Sequence, residues 1–193
     1  ILLERGDVDE GSALASQCAE SSEALGATSC SVAANVLLGQ SRLILEDAPG
    51  ARGPLERGLE LSLVTYMAPM RTLAQGMLGS VNARLGDLPA GDVGWKNALD
   101  AAHAAGDRFG EAVTLWGRAR TRVRQDAPDW MNALTDFDAA VALFDSMEAR
   151  PSLARALRDQ ARVLQEIGRT AEATEADRRS REIARQIGLK DFS

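Results

Sequence analysis

"RLGDLPAGDVGWKNALDAA", residues 84–102, decides the fold. A Gly86-Asp87 turn breaks one helical stretch, Pro89 stands where a new helix can start without losing a needed N–H, and a small-residue helix carrying one large side chain, Trp95, follows. The turn is not unique. Helix-breaking turns stand at Gly6 in "ERGDVDEG", at Glu46 and Asp47 in "LEDAPGAR", at Gly86, at Gln125 and Asp126 in "VRQDAPDW", and at Gly168 in "EIGRTAEA". The steps between them are 40, 40, 39 and 43 residues. A period of about 40 residues holding two helix-length segments is the signature of stacked helical hairpins.

A second register runs through the first. About seven residues before each turn stands a small residue inside a helical pattern: Gly39, Gly79, Gly117 and Ala161. Glycine inside a helix costs about 1 kcal/mol relative to alanine, so its repetition points to close approach of a neighbouring helix. The second helix of each hairpin has small residues seven apart: Gly11 and Cys18, Ala51 and Gly58, Gly91 and Ala98, Ala133 and Ala140, Ala173 and Ser180. Each hairpin is therefore expected to cross small face on small face.

The Leu38-Gly39, Leu78-Gly79 and Trp116-Gly117 pairs, each followed by a turn, a small residue and then Leu55, Trp95 or Phe137, resemble the tetratricopeptide repeat over nearly the whole chain. The longer period resembles the long-helix repeats in regulatory regions of bacterial signal-transducing ATPases and transcription activators. The resemblance implies an all-α, right-handed superhelix of about nine helices in four to five antiparallel hairpins, with repeats near 1–28, 29–67, 68–107, 108–150 and 151–193. The expected helices lie near 8–25, 29–45, 48–65, 68–85, 89–105, 108–124, 128–148, 152–167 and 171–187. "RQDAPDWMN" is about four residues longer than the other turns, so Trp130 is expected to protrude.

Composition agrees with helices. Of the 193 residues 45% are hydrophobic but only 4% aromatic, and Ala and Leu dominate. The net charge of −6 argues against a general nucleic-acid binder. Cys18, Cys30 and one histidine can build neither a disulfide framework nor a zinc site, which fits a reduced, cytoplasmic setting. No apolar run reaches membrane-spanning length. The chain begins at Ile1, and "ILLERGD" reads as the last turn of a helix already under way, which suggests a piece of a longer protein with an uncapped end at Ile1 to Leu3.

No catalytic set emerges. His103 at a helix end has no nucleophile or carboxylate marked beside it. Cys18 and Cys30 are expected to be buried packing residues. "PGARGPLERG" lacks a phosphate-loop lysine and a preceding strand. Asp136 and Asp138 fall on different helix faces and are expected to be solvated. No catalytic residue, cofactor or metal is expected.

The tetratricopeptide resemblance implies that the first helix of each hairpin lines an inner groove. The groove residues carried over are Val36, Gln40 and Leu43; Leu73, Ser80 and Arg84; Arg118 and Arg122; and Arg155, Arg158 and Arg162. Its N-terminal half is then apolar and its C-terminal half basic. One reading of Arg155, Arg158 and Arg162, spaced i, i+3 and i+7, is a hydrated helix face paired with carboxylates such as Asp159 and Glu166; the other, since guanidinium forks suit carboxylates, is a groove for an acidic peptide or protein, bound without chemistry. The lysine-containing carboxylate clamp of some members is absent, because Asn35 and Asn82 have no lysine beside them. A small anionic effector sensed on behalf of a neighbouring domain, or self-association through the apolar half, are the alternatives; neither nucleic acid nor membrane is expected as a direct partner.

Overall fold

The computed structural model describes residues 7–189. The turn at Gly6 and the end at Ile1 to Leu3 lie outside them. The described residues form nine helices and no strand: α1 (Val8–Ala24), α2 (Thr28–Ile44), α3 (Ala48–Thr65), α4 (Ala68–Arg84), α5 (Leu88–Ala105), α6 (Arg108–Arg122), α7 (Trp130–Ser146), α8 (Arg150–Glu166) and α9 (Thr170–Ile187). Every expected helix is present within two residues of its expected bounds. The chain is an all-α helical repeat.

The turns have one chemistry repeated at half the period read from the sequence. Backbones with φ between 54° and 93° occur at Gly26, Glu46, Tyr66, Gly86, Gly106, Glu148, Gly168 and Gly188. The step is 20 residues, except for 42 residues across the α6–α7 connection. At Gly86, the N–H of Gly86 donates to Ala83 O and that of Asp87 to Asn82 O, which satisfies two carbonyls orphaned at the end of α4. The same pair of bonds recurs after α1, α2, α5, α7 and α8. Directly after such turns Asp47, Asp87 and Asp107 cap the next helix, accepting from the N–H groups of Gly50, Ala90 and Gly110, and Asp129 does the same for Asn132 at the end of the longer α6–α7 connection. Gly-Asp is thus a stop and a start in two residues. The Gly50 N–H, and next the Arg42 guanidinium, hold the Asp47 carboxyl below its usual range.

Small residues set the hairpin crossings. A Cβ on Gly79 would lie 2.7 Å from Trp95 Cδ1 and 3.0 Å from Gly91 O, and one on Gly58 would lie 2.8 Å from Val36 Cγ2. Helices α2 with α3, α4 with α5, and α8 with α9 form the most extensive pairs. The register in α6 differs from expectation. Ala119, fully buried, takes the place of Gly39 and Gly79, while Gly117 is half-buried and faces Ser80 of α4. In α1 the buried face is Gly11, Ala15, Ala19 and Ser22, so Cys18 and also Cys30 are exposed rather than packed. Trp130 does not protrude: it is half-buried against the C-terminal core.

That core is the larger one. Phe137, Phe144, Leu153, Leu157, Leu164 and Ile183 cluster across α7, α8 and α9, whereas the N-terminal cluster holds only Leu43, Ala48, Ala51, Leu55, Met77 and Val81, and α1 buries only small side chains. Apolar burial stabilises by about 25 cal/mol per Å², and hairpins in a stack support only their neighbours. Amide hydrogen exchange is therefore expected to be slowest in α7 to α9 and faster in α1 to α3; equal protection along the chain would contradict this uneven support.

Candidate functional site

The first helices of successive hairpins, α2, α4, α6 and α8, together with α1, enclose a cavity of about 590 Å³. No side chain of α3, α5, α7 or α9 lines it. Glycine and hydroxyl residues let α4 and α6 meet closely there: a Cβ on Gly76 would lie 2.5 Å from Thr114 Oγ1 and one on Gly117 would lie 3.3 Å from Ser80 Oγ. Helices α6 and α8 are bridged instead by Trp116, whose Nε1–H donates to Asp159 Oδ2 at 3.0 Å.

One side of the cavity is apolar, with Leu14, Leu37, Leu43, Leu73, Met77, Phe109 and Val113 on its wall. Leu14, Leu37 and Phe109 are 49%, 45% and 41% exposed, so this wall is bare of other parts of the described chain. Toward α8 the wall turns basic through Arg84, Arg120, Arg155 and Arg158, with Asp159 among them. The Arg120 guanidinium lies 5.4 Å from the centre of the Trp116 ring, a cation–π contact. Its Nε is 3.5 Å from Asp159 Oδ2.

A single carboxylate ties this end to the α2–α3 turn. Glu46 lies 2.9 Å from Arg124, 3.1 Å from Arg84 and 3.9 Å from Arg120. Three cations around one anion repel one another. Burial first, with Arg120 and Arg124 adding to it against the pull of Glu46, brings Arg84 down to about 10. Burial and Arg120 likewise lower Arg124. The arginines sit there for a helical reason as well: Arg84 and Arg120 belong to the last turns of α4 and α6, where the helix dipole favours positive charge.

Of the residues expected in the groove, Gln40, Leu43, Leu73, Ser80, Arg84, Arg155 and Arg158 line the cavity. Four do not. Val36 is 1% exposed, turned toward Gly58 between α2 and α3, and Leu37 takes its place on the wall. Arg118 and Arg122 face away, both bonded to Asp136 of α7. Arg162 is exposed and reaches Asp159 at 3.7 Å without lining the cavity. Asp136 is accordingly a buried ion-pair partner rather than a solvated carboxylate.

The α6 error has one cause. Aligning Gly117 with Gly79 misplaces the helix by two residues, and two residues of α-helix are about 200° of rotation. Arg120 and Trp116 were missed for that reason. A strict 40-residue step from Gly39 and Gly79 puts Ala119 in register with them and Arg120 level with Ser80 on the inner face.

His103 is exposed and lies 2.9 Å from Glu111. Among the described residues no group of three or more His, Cys, Asp or Glu could hold a metal ion, and no helix is long and apolar enough to cross a membrane. No model of a known protein family matches the chain, and no curated protein is significantly similar to it.

Proposed function

We propose that the chain is a tetratricopeptide-like, non-catalytic interaction module that works in the cytoplasm and holds a partner segment in the cavity between its first helices. The observation that carries this reading is the division of one cavity into a bare apolar wall and an arginine end, in a chain whose net charge is −6. A segment with two or three apolar anchors and an acidic group matches both halves. The anchors would bury against Leu37, Leu73 and Phe109, and the acid would meet Arg84 and Arg120.

Selection of 16-residue peptides displayed on phage tests this. The expected winners combine Leu, Phe or Met with Asp or Glu, bind the purified chain with micromolar affinity, and lose about tenfold or more in affinity to Arg120→Glu. Winners without acidic residues, or winners indifferent to Arg120→Glu, would overturn the reading. A second reading is favoured by the cavity's size, which lies in the range of small-molecule sites: an anionic amphipathic effector sensed for a neighbouring domain of a signalling protein. It would show as failure of all peptides alongside saturable binding of a small acid. Mass that rises with protein concentration would instead mark self-association through the apolar wall.

A further inference from the structure

Glu46 stands out by what its side chain reaches. With Tyr66 and Glu148 it is one of three described non-glycine residues at the positive-φ turn position that Gly26, Gly86, Gly106, Gly168 and Gly188 also occupy, its own φ being 61°. An L side chain there strains the backbone that glycine would adopt freely. The same side chain then reaches across two hairpins: Arg84 is 38 residues away in sequence and Arg124 is 78 away. Half exposed, its carboxylate lies at the edge of the cavity's basic end and, among the described residues, is the one acidic group within 4 Å of all three of Arg84, Arg120 and Arg124; Asp159, 3.5 Å from Arg120, pairs with that one of the three. Arg84 still has a buried Nε–H with no hydrogen-bond acceptor.

Resting on the reading that the cavity binds an acidic, partly apolar ligand, we infer that Glu46 is a built-in stand-in for the ligand's carboxylate, which must displace it from Arg84 and Arg120. The ligand class is thereby narrowed to carboxylates with an apolar body. The geometry gives both halves of the exchange. Glu46 supplies one carboxylate to cations that otherwise repel one another, and its exposure lets it swing into water when a ligand carboxylate takes its place. A site whose competent state is only partly populated binds more weakly by that fraction, so Glu46 sets a threshold for occupancy.

The test uses dodecanoate, below its micellar concentration, with dodecanol as the uncharged control, so it does not depend on any selected peptide. Titration calorimetry of the protein and of its Glu46→Gln variant is expected to show dodecanoate bound about fivefold to tenfold more tightly by the variant, with dodecanol unchanged. The arginine Nε–H resonances of Arg84 and Arg120 should shift on adding dodecanoate. Glu46→Gly removes the carboxylate while relieving the turn, so it should repeat the gain in affinity. Equal or weaker dodecanoate binding by both variants, or none by either, would overturn the inference; the peptide selection judges the broader reading separately. A gain shared equally by dodecanol would also overturn it, since the effect would then lie in the apolar wall.

Discussion

Asp136→Ala is expected to destabilise the protein by about 3–5 kcal/mol, because it strands two arginine charges in a helix interface. Asp136 is 4% exposed and accepts from Arg118 Nε at 2.8 Å, Arg118 Nη2 at 2.6 Å and Arg122 Nη1 at 2.7 Å. The arginine side chains are only 20% and 22% exposed, so water replaces little of what the carboxylate supplied. The two-pronged Arg118 contact also fixes geometry, clamping α6 to α7 next to the longest connection in the chain. In a chain of this size the loss corresponds to a fall of roughly 10 °C in melting temperature. Thermal and urea denaturation check it. The companion variant decides the mechanism: replacing Arg118, Arg122 and Asp136 together by leucine removes the unpaired charges and should cost much less than Asp136→Ala alone. If the triple variant is the less stable of the two, the carboxylate's role is in net pairing energy rather than in compensating buried cations.

This interface also shows why one part of the site escaped the sequence. The helices were legible because most turns are chemical punctuation: a residue at positive φ closes one helix, and at Gly86-Asp87 and Gly106-Asp107 an aspartate opens the next. Which face a residue presents is a finer quantity. In α4 the expected phase was right, so Leu73, Ser80 and Arg84 were placed correctly on the cavity wall. In α6 a glycine at position 117 imitated the packing glycines, although the residue that meets the crossing is Ala119. The two-residue shift exchanged Arg118, which points to Asp136, for Arg120, which points to the cavity. Glycine signals a close approach without saying which neighbour approaches, and Gly117 answers to Ser80 of the preceding hairpin. The ion pairs at Glu46 were beyond sequence reasoning for another reason: Arg124 is 78 residues away, and only the stacking of hairpins brings it near.

Trp95→Ala is expected to cost about 3–5 kcal/mol, the usual loss on removing a buried aromatic side chain. Trp95 is fully buried on α5, and its Nε1–H donates to Ser80 Oγ at 3.2 Å, joining α5 to the helix that carries the cavity wall. Its ring lies against the space left by Gly79, which the sequence pattern marked as a crossing point. Gly79→Ala should destabilise as well: the gain in helix propensity is about 1 kcal/mol, but the new methyl group would sit 2.7 Å from Trp95 Cδ1 and 3.0 Å from the Gly91 carbonyl and the Trp95 nitrogen, so α4 and α5 must move apart. The decisive quantity is the coupling between the two substitutions. With the indole gone the side-chain clash disappears while the backbone clashes remain, so Gly79→Ala should cost less in the Trp95→Ala background, by about 0.5–3 kcal/mol. A full double-mutant cycle by urea denaturation measures this. Strict additivity would mean that Gly79 serves the approach of α5's backbone alone. Coupling of the expected size would mean that glycine and tryptophan form one joint, and that the cavity wall at Ser80 is positioned by it.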